Sequence, residues 1–318
     1  MQRIYLISGF VITLTLIACS NKSTGPRDEE IIGIIFADPN FEAVIREVLE
    51  KPKGYVTPRN MLTITGLVGR KRNITDIGGI EYCANLTTLR LNHNQIRDIS
   101  PLTTLTNLTD LLLYKNQIRD ISPLTTLTNL TYLLLNENQI SDISPLTTLT
   151  NLTDLSLGYN QISDIRPLTT LTNLTDLYLY HNQISDISPL TTLTNLTYLY
   201  LHHNQISDIR PLTTLTKLTN LSLGYNQISD IRPLTTLTNL TYLLLNENQI
   251  SDIRPLTILT NLTYLLLNEN QISDINPLVD NSGLDLGDYI SLYQNPLDAT
   301  AISTHIPALV ARGIDVRY

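Results

Sequence analysis

Tryptophan is absent from the 318 residues and phenylalanine occurs three times, yet there are 16 tyrosines, so the aromatic content is amphipathic and suited to a wet surface. Lysine and arginine number 21 against 29 acidic residues, with no run rich in either base, which excludes the footprint of a nucleic-acid-binding protein. Two cysteines are too few for a disulfide scaffold. No glycine-rich phosphate loop, metal motif or unique set of nucleophile, base and orienting group is present, so neither an enzyme nor a cofactor is expected. The N-terminal apolar run, Ile4 to Ala18, falls short of the roughly 20 residues that span a bilayer. What the chain has in excess is leucine, 59 residues or nearly one in five, and that excess needs a periodic cause.

Arg3 places one positive charge before the apolar run, which closes on Leu16-Ile17-Ala18-Cys19 and gives way to a polar stretch, the order of a secretory signal. Those four residues resemble the lipobox of bacterial lipoproteins, in which cleavage precedes the cysteine and its sulfur carries a diacylglycerol. The resemblance implies an exported protein held in the cell envelope by fatty acyl chains on Cys19, at the outer membrane or cell surface. Residues 20–30 lack apolar periodicity and read as a tether. Cys83 stands where later repeats place Leu105 and Leu127 and reads as buried filler.

From Asn85 the chain repeats every 22 residues, as in 107–128, and nine such units fill 85–280; Ile74, Asp76, Ile77 and Ile80 extend the pattern back by one degenerate unit. The spacing L-x-x-L-x-L-x-x-N-x-I is the leucine-rich-repeat signature. Leu111 and Leu113 alternate as an inward-facing strand with Asp110, Leu112 and Tyr114 outward. The tenth-position ladder, Asn94 to Asn270, falls where the chain turns, and its amides are placed to satisfy buried backbone groups, a scaffold role. In the second half, a proline at a helix-compatible position predicts one 3₁₀ turn per unit. Ser141, Asp142 and their equivalents recur in copy after copy, which marks turns and not catalysis.

A solenoid needs covered ends. Asp38-Pro39 opens a helix with Phe41, Val44, Ile45, Val48 and Leu49 on one face, stopped at Lys51 to Gly54. Asn295 follows Asn270 by 25 residues, so a three-residue insertion lies in 280–289 before Ile290, Leu292 and Leu297 restore the pattern. Ile302, Ile306, Leu309 and Val310 then read as a second apolar helix face, kinked at Pro307, ended at Gly313 and followed by a strand over 314–318. The expected fold is an α/β solenoid, a leucine-rich-repeat horseshoe with short parallel strands on the concave face, 3₁₀ turns on the convex face and helical caps. Its expected divisions are a signal peptide 1–18, a tether 19–35, an N-terminal cap 36–62, repeats 63–280, and a degenerate last repeat with the C-terminal cap 281–318.

The run 138–152, repeated at 182–196, closely resembles the 22-residue repeats of the internalin-type surface proteins of bacteria, and 36–42 resembles the cap that precedes them. The resemblance covers about 36–318 and implies a curved, non-catalytic scaffold that recognises proteins, or sometimes glycans, on its concave sheet. A C-terminal Leu-Pro-x-Thr-Gly sorting signal is missing, so the expected anchor is the N-terminal lipid, and host invasion is not implied.

Outward slots fall at the fourth, sixth, eighth and ninth positions, and ten hold tyrosine: Tyr132, Tyr198, Tyr242 and Tyr264 at the fourth, Tyr178 and Tyr200 at the sixth, Tyr114 and Tyr180 at the eighth, Tyr159 and Tyr225 at the ninth. Residues 129–143, 239–253 and 261–275 are identical, as are 155–172 and 221–238, so these count as seven independent placements. Tyrosine offers contact area with little rotamer entropy and a hydroxyl for hydrogen bonding. The densest patch is Asp176, Tyr178, Tyr180 and His181 beside Tyr198, Tyr200, His202 and His203, the expected hot spot, flanked by Leu112, Leu134, Leu244 and Leu266 as exposed apolar residues. His181 and His203 also stand at equivalent places on adjacent strands, but no cysteine or carboxylate completes a metal site, and none is expected. The expectation is a monomer that binds a host or bacterial protein through this surface, the alternatives being a glycan ligand, a sheet-steadying role for the aromatics, or a spacer without a ligand.

Overall fold

Only the fourth to sixth positions of each unit pair as strand, because there a buried fifth-position leucine stands between two outward residues while the backbone stays extended. In the computed structural model, which describes residues 33–318, this produces β1 (Gly66–Val68), β2 (Thr88–Arg90), β3 (Asp110–Leu112), β4 (Tyr132–Leu134), β5 (Asp154–Ser156), β6 (Asp176–Tyr178), β7 (Tyr198–Tyr200), β8 (Asn220–Ser222), β9 (Tyr242–Leu244), β10 (Tyr264–Leu266), β11 (Tyr289–Ser291) and β12 (Asp315–Arg317). All twelve pair in parallel, in sequence order, in one sheet. Register is exact from unit to unit, Leu177 lying opposite Leu199 and Tyr178 opposite Tyr200. β1 comes from the degenerate unit, and β11 and β12 carry the sheet past the insertion.

Beyond each strand the tenth-position asparagine turns inward. Asn182 accepts from the Ile162 amide of the previous unit at 3.0 Å and donates to the Leu157 and Leu179 carbonyls, each at 3.0 Å. One side chain thus satisfies three backbone groups on two turns, which a buried turn requires. Asn295 makes the same set across the insertion, accepting from Ile272 and donating to Leu267 and Leu292. On the far side the fourteenth-position aspartate caps the 3₁₀ turn: Asp142 accepts from the Ser144 amide at 2.8 Å ahead of the turn Ser144–Thr148, with Pro145 in its first residues. Leucine and isoleucine fill the space between, buried in one continuous core from Phe36 to Ile314. Cys83 belongs to that core, and burial, with the charge of Glu81, pushes its thiol up to about 12.

The N-terminal cap is α1 (Pro39–Val48) followed by a short α2 (Pro58–Met61). Asp38 starts α1 by accepting from the Asn40 and Phe41 amides, and its other oxygen accepts from Thr75 and Asp76, which ties the cap to the first repeat. Phe41, Val44 and Ile45 are buried, but Val48, expected on the same face, is 41% exposed because the helix ends there. The tether reading places the boundary at residue 35, and Ile34 already donates to the Val56 carbonyl at 2.7 Å. Cys19, with the rest of residues 1–32, lies outside the described residues.

At the other end, α3 (Asn276–Asp280) replaces the 3₁₀ turn ahead of the insertion. A Cβ on Gly283 would lie 1.9 Å from the Thr260 carbonyl oxygen, so the added residues fit only because this position has no side chain. The last helical segment is not one amphipathic helix. Residues Ala301–His305 form a π turn and Ile306–Ala311 form α4, and the wider turn rotates the buried face onto Ala301, Ile306 and Leu309. Ile302 and Val310 are 50% and 52% exposed, against the expectation that both face the core.

Candidate functional site

The strands are three residues long, so the eighth and ninth positions lie in the turn beyond the sheet edge and not on the strand itself. The ninth residue takes a left-handed backbone in every repeat although none is glycine: His93, Lys115, Glu137, Tyr159, His181, His203, Tyr225, Glu247 and Glu269 have φ between 51° and 59°, as does Lys71 at 58° in the degenerate unit. For such residues this conformation costs about 1–2 kcal/mol and persists only where the surroundings impose it. Here an amide ladder imposes it. The ninth amide donates to the eighth carbonyl of the next unit, as in Tyr159 to Tyr180, His181 to His202 and His203 to Gly224 at 2.9, 2.9 and 3.0 Å. The Cα–Cβ bonds therefore align into one column at the sheet edge.

In the centre of that column four rings stack face to face. Tyr159, His181, His203 and Tyr225 have successive centroid separations of 4.0, 3.9 and 3.8 Å and interplanar angles of 12°, 15° and 16°. A second row at the eighth position pairs Tyr180 with His202 at 4.8 Å and 1°. Tyr180 fits because the residue before Tyr159 is glycine: a Cβ on Gly158 would meet the Tyr180 ring at 2.5 Å. His202 Nδ1 lies 3.1 Å from the Ser222 hydroxyl. A third row at the sixth position stacks Tyr178 on Tyr200 at 5.1 Å. Tyr198 stands on the strand beside them, 39% exposed, and Asp176 accepts from the Thr175 hydroxyl at 2.6 Å. The predicted hot spot is thus brought together, as three rows of stacked rings.

The other predicted residues fall outside it. Tyr114 meets His93 edge-on at 5.3 Å toward the N-terminal end, and Tyr132 sits alone on β4, half-buried. Tyr242 stacks on Tyr264 at 4.7 Å on the C-terminal strands, and Tyr264 on Tyr289 at 4.9 Å. Tyr289 is a member of the surface that 22-residue counting passes over, because the insertion displaces it by three; the alternation Tyr289-Ile290-Ser291-Leu292 is the signal that finds it. Leu112, Leu134, Leu244 and Leu266 are half-buried between neighbouring side chains, not exposed as expected.

Burial favours the neutral form of the three imidazoles and of the Tyr178, Tyr180 and Tyr200 phenols. His181 and His203 titrate below the usual imidazole range and His202 drops to about 4, in each case chiefly by burial, with the neighbouring histidines adding to it for His181 and His202. The Tyr178 phenol rises to about 12 through burial and the charge of Asp176. Asp176 itself is raised by burial, opposed by the Thr175 bond. At neutral pH the surface offers uncharged imidazoles and phenols, each able to donate and accept. Stacked His181 and His203 lie parallel, so their in-plane lone pairs do not converge, and among the described residues no group of three or more His, Cys, Asp or Glu is placed to hold a metal ion.

A family model for leucine-rich repeats matches 106–148, 150–192, 194–236 and 238–280, and a second leucine-rich-repeat model matches 82–99. No curated protein matches in sequence. Among solved structures, an internalin from Listeria monocytogenes is similar at 38% identity and a TM-score of 0.61, over 89% of this chain and 95% of that one. Internalin C2 from the same organism is similar at 40% identity and a TM-score of 0.65, over 66% and 94%. A plant peptide hormone receptor, in complex with RGF2, is similar at 28% identity and a TM-score of 0.60, over 68% of this chain and 37% of the receptor. With tandem repeats matched from 106 to 280 and an internalin matched over nearly its whole length, the chain belongs to the internalin-type leucine-rich-repeat proteins.

Proposed function

We propose that this is an exported, lipid-anchored recognition protein, without catalytic activity, that binds another protein through the aromatic surface at and beyond the sheet edge. Its contact residues would be Tyr159, Asp176, Tyr178, Tyr180, His181, Tyr198, Tyr200, His202, His203 and Tyr225, with Tyr114, Tyr132, Tyr242 and Tyr264 at the margins. Cys19 would carry the lipid. Fold kinship supports a binding role, since internalin-type repeats and a peptide hormone receptor share the architecture.

The observation that favours protein over glycan is how the rings stand. Sugars are gripped by a free ring face, and within each row the inner faces are spent on one another at 3.8 to 5.1 Å. What remains outward is a row of edges, hydroxyls and imidazole nitrogens, which suits the mixed polar and apolar contacts of a protein interface. Stacking also steadies the sheet, each pair contributing roughly 0.2–1 kcal/mol, and the same pre-ordering lowers the entropy lost on binding.

The test is a crosslinking capture from native envelope and from host-cell extract, with the full chain as bait beside Tyr178, Tyr180, Tyr198 and Tyr200→Ala. A protein held by the native bait and lost from the folded variant is the expected result. Capture unchanged by the substitutions would overturn the site, and glycan-array binding lost with the same substitutions would replace protein by glycan.

A further inference from the structure

The ninth-position column changes sign along its length. At its N-terminal end stand Lys71 and Lys115, with Arg70 beside Lys71, all exposed; the uncharged aromatic stack occupies the middle; at its C-terminal end stand Glu247 and Glu269. Lys115 and Glu137 pair at 3.2 Å and cancel, which leaves Arg70 and Lys71 as the net charge of the basic end. Arg70 and Lys71 make no ion pair among the described residues, nor do Glu247 and Glu269. The groups that flank the column feel the same polarity. His93 is lowered by burial and then by Lys115, Arg70 and Lys71, whereas Tyr225 is raised by its bond to Glu247, by burial, and by the charges of Glu247 and Glu269. The strand aspartates Asp110, Asp154 and Asp176 sit at the fourth position, at the opposite edge of the strands, each taken up by the preceding threonine hydroxyl.

We infer that this column is the seat of an extended polypeptide segment of the partner, acidic at the end over Arg70 and Lys71, uncharged across the ring edges, and basic at the end over Glu247 and Glu269. The inference rests on the protein-binding reading of the same surface and adds the chemistry and length of what binds. Eight units separate Lys71 from Glu247, about 38 Å at ~4.8 Å per strand, which an extended chain covers in about twelve residues at ~3.3 Å each. A helix would need roughly twice as many residues for that span, at ~1.5 Å per residue. The two poles are several Debye lengths apart at physiological salt, where that length is ~8 Å, so each pole is read locally. A segment with the wrong charge at either end is rejected there without help from the other, which is where specificity of this kind comes from.

The probes are three synthetic peptides of about 14 residues sharing one Gly/Tyr/Ser centre. The first has an acidic and a basic end, the second has the same composition with its charges alternated, and the third has two basic ends. Titrated against the full chain at low salt, the first is expected to bind at least about tenfold tighter than its alternated isomer, with the difference shrinking at 0.5 M salt. In Lys71→Glu, Lys115→Glu both poles are acidic, and preference is expected to pass to the peptide with two basic ends. Equal binding of the two isomers, no binding by either, or an unchanged preference in the variant would overturn the inference. If the chain alone sediments as a dimer at low salt and the variant does not, the column pairs with a second copy and the peptide is the wrong occupant. Capture of a protein lost on Tyr178 and Tyr200→Ala, together with no charge preference among the peptides, would leave the recognition reading standing and remove only this one.

Discussion

Two neighbouring residues of each repeat, the ninth and the tenth, are governed by opposite demands. The tenth turns inward, and from Asn94 to Asn270 it is always asparagine, because one amide must satisfy both an N–H and carbonyls on two turns. The ninth turns outward, holds its backbone in a left-handed conformation that asparagine or glycine would adopt at less cost, and is instead lysine, glutamate, tyrosine or histidine. The backbone demand is the same in every unit, so it does not set which residue stands at the ninth position. A strained and varied position beside a relaxed and uniform one is where the proposed recognition would act.

The comparison breaks first at the tenth position. Asn182→Ala would strand the Ile162 amide and the Leu157 and Leu179 carbonyls in the core, and a loss of about 3 kcal/mol or more is expected in denaturant unfolding. A loss under 1 kcal/mol would mean that the ladder is dispensable. Next comes Glu269→Val, a β-branched residue on the left-handed backbone, expected to cost about 1–2 kcal/mol in the same assay. Acid supplies a third, smaller effect. His202, His181 and His203 bind protons less readily folded than unfolded, so the stability they confer is present above the unfolded imidazole range near 6.5 and is lost as pH falls toward about 4. Melting temperature should decline over that window, and His202→Gln should flatten the decline; parallel profiles would sink the assignment. The smallest effect is Glu269→Gly, where relief of the left-handed strain and the looser unfolded chain offset each other to within about 0.5 kcal/mol. A change as large as that of Asn182→Ala would erase the distinction between the two positions.

Much of this was legible in the residues. The period, the inward leucines, the asparagine ladder and the 3₁₀ turns at proline follow from patterns repeated often enough to be read without ambiguity, whereas each cap occurs once and was read only in outline. What stayed hidden has identifiable causes. A left-handed backbone is normally betrayed by glycine, and here Lys115, Tyr159 and Glu247 conceal it, so only their place before the asparagine marks it. Tyr289 was lost to a three-residue change of phase. Val48, Ile302 and Val310 have the right spacing for the core, but a helix end and a π turn rotate them outward. Of the candidate site, composition revealed which strands carry the rings. It could not reveal that Tyr159, His181, His203 and Tyr225 would close on one another and show their edges, since ring tilt depends on the alignment of the turn and on the room left by Gly158.

The amide ladder that builds the column joins each unit only to its neighbours, and between the two charged poles the units include identical copies at 155–172 and 221–238. Unequal recombination between those copies would insert or remove three whole units and leave the hydrogen-bond pattern of the remaining units as it was. The distance between the two charged poles is therefore heritable in graduations of three strands, about 14 Å, so a lineage holding this gene could re-space its gauge in one genetic event.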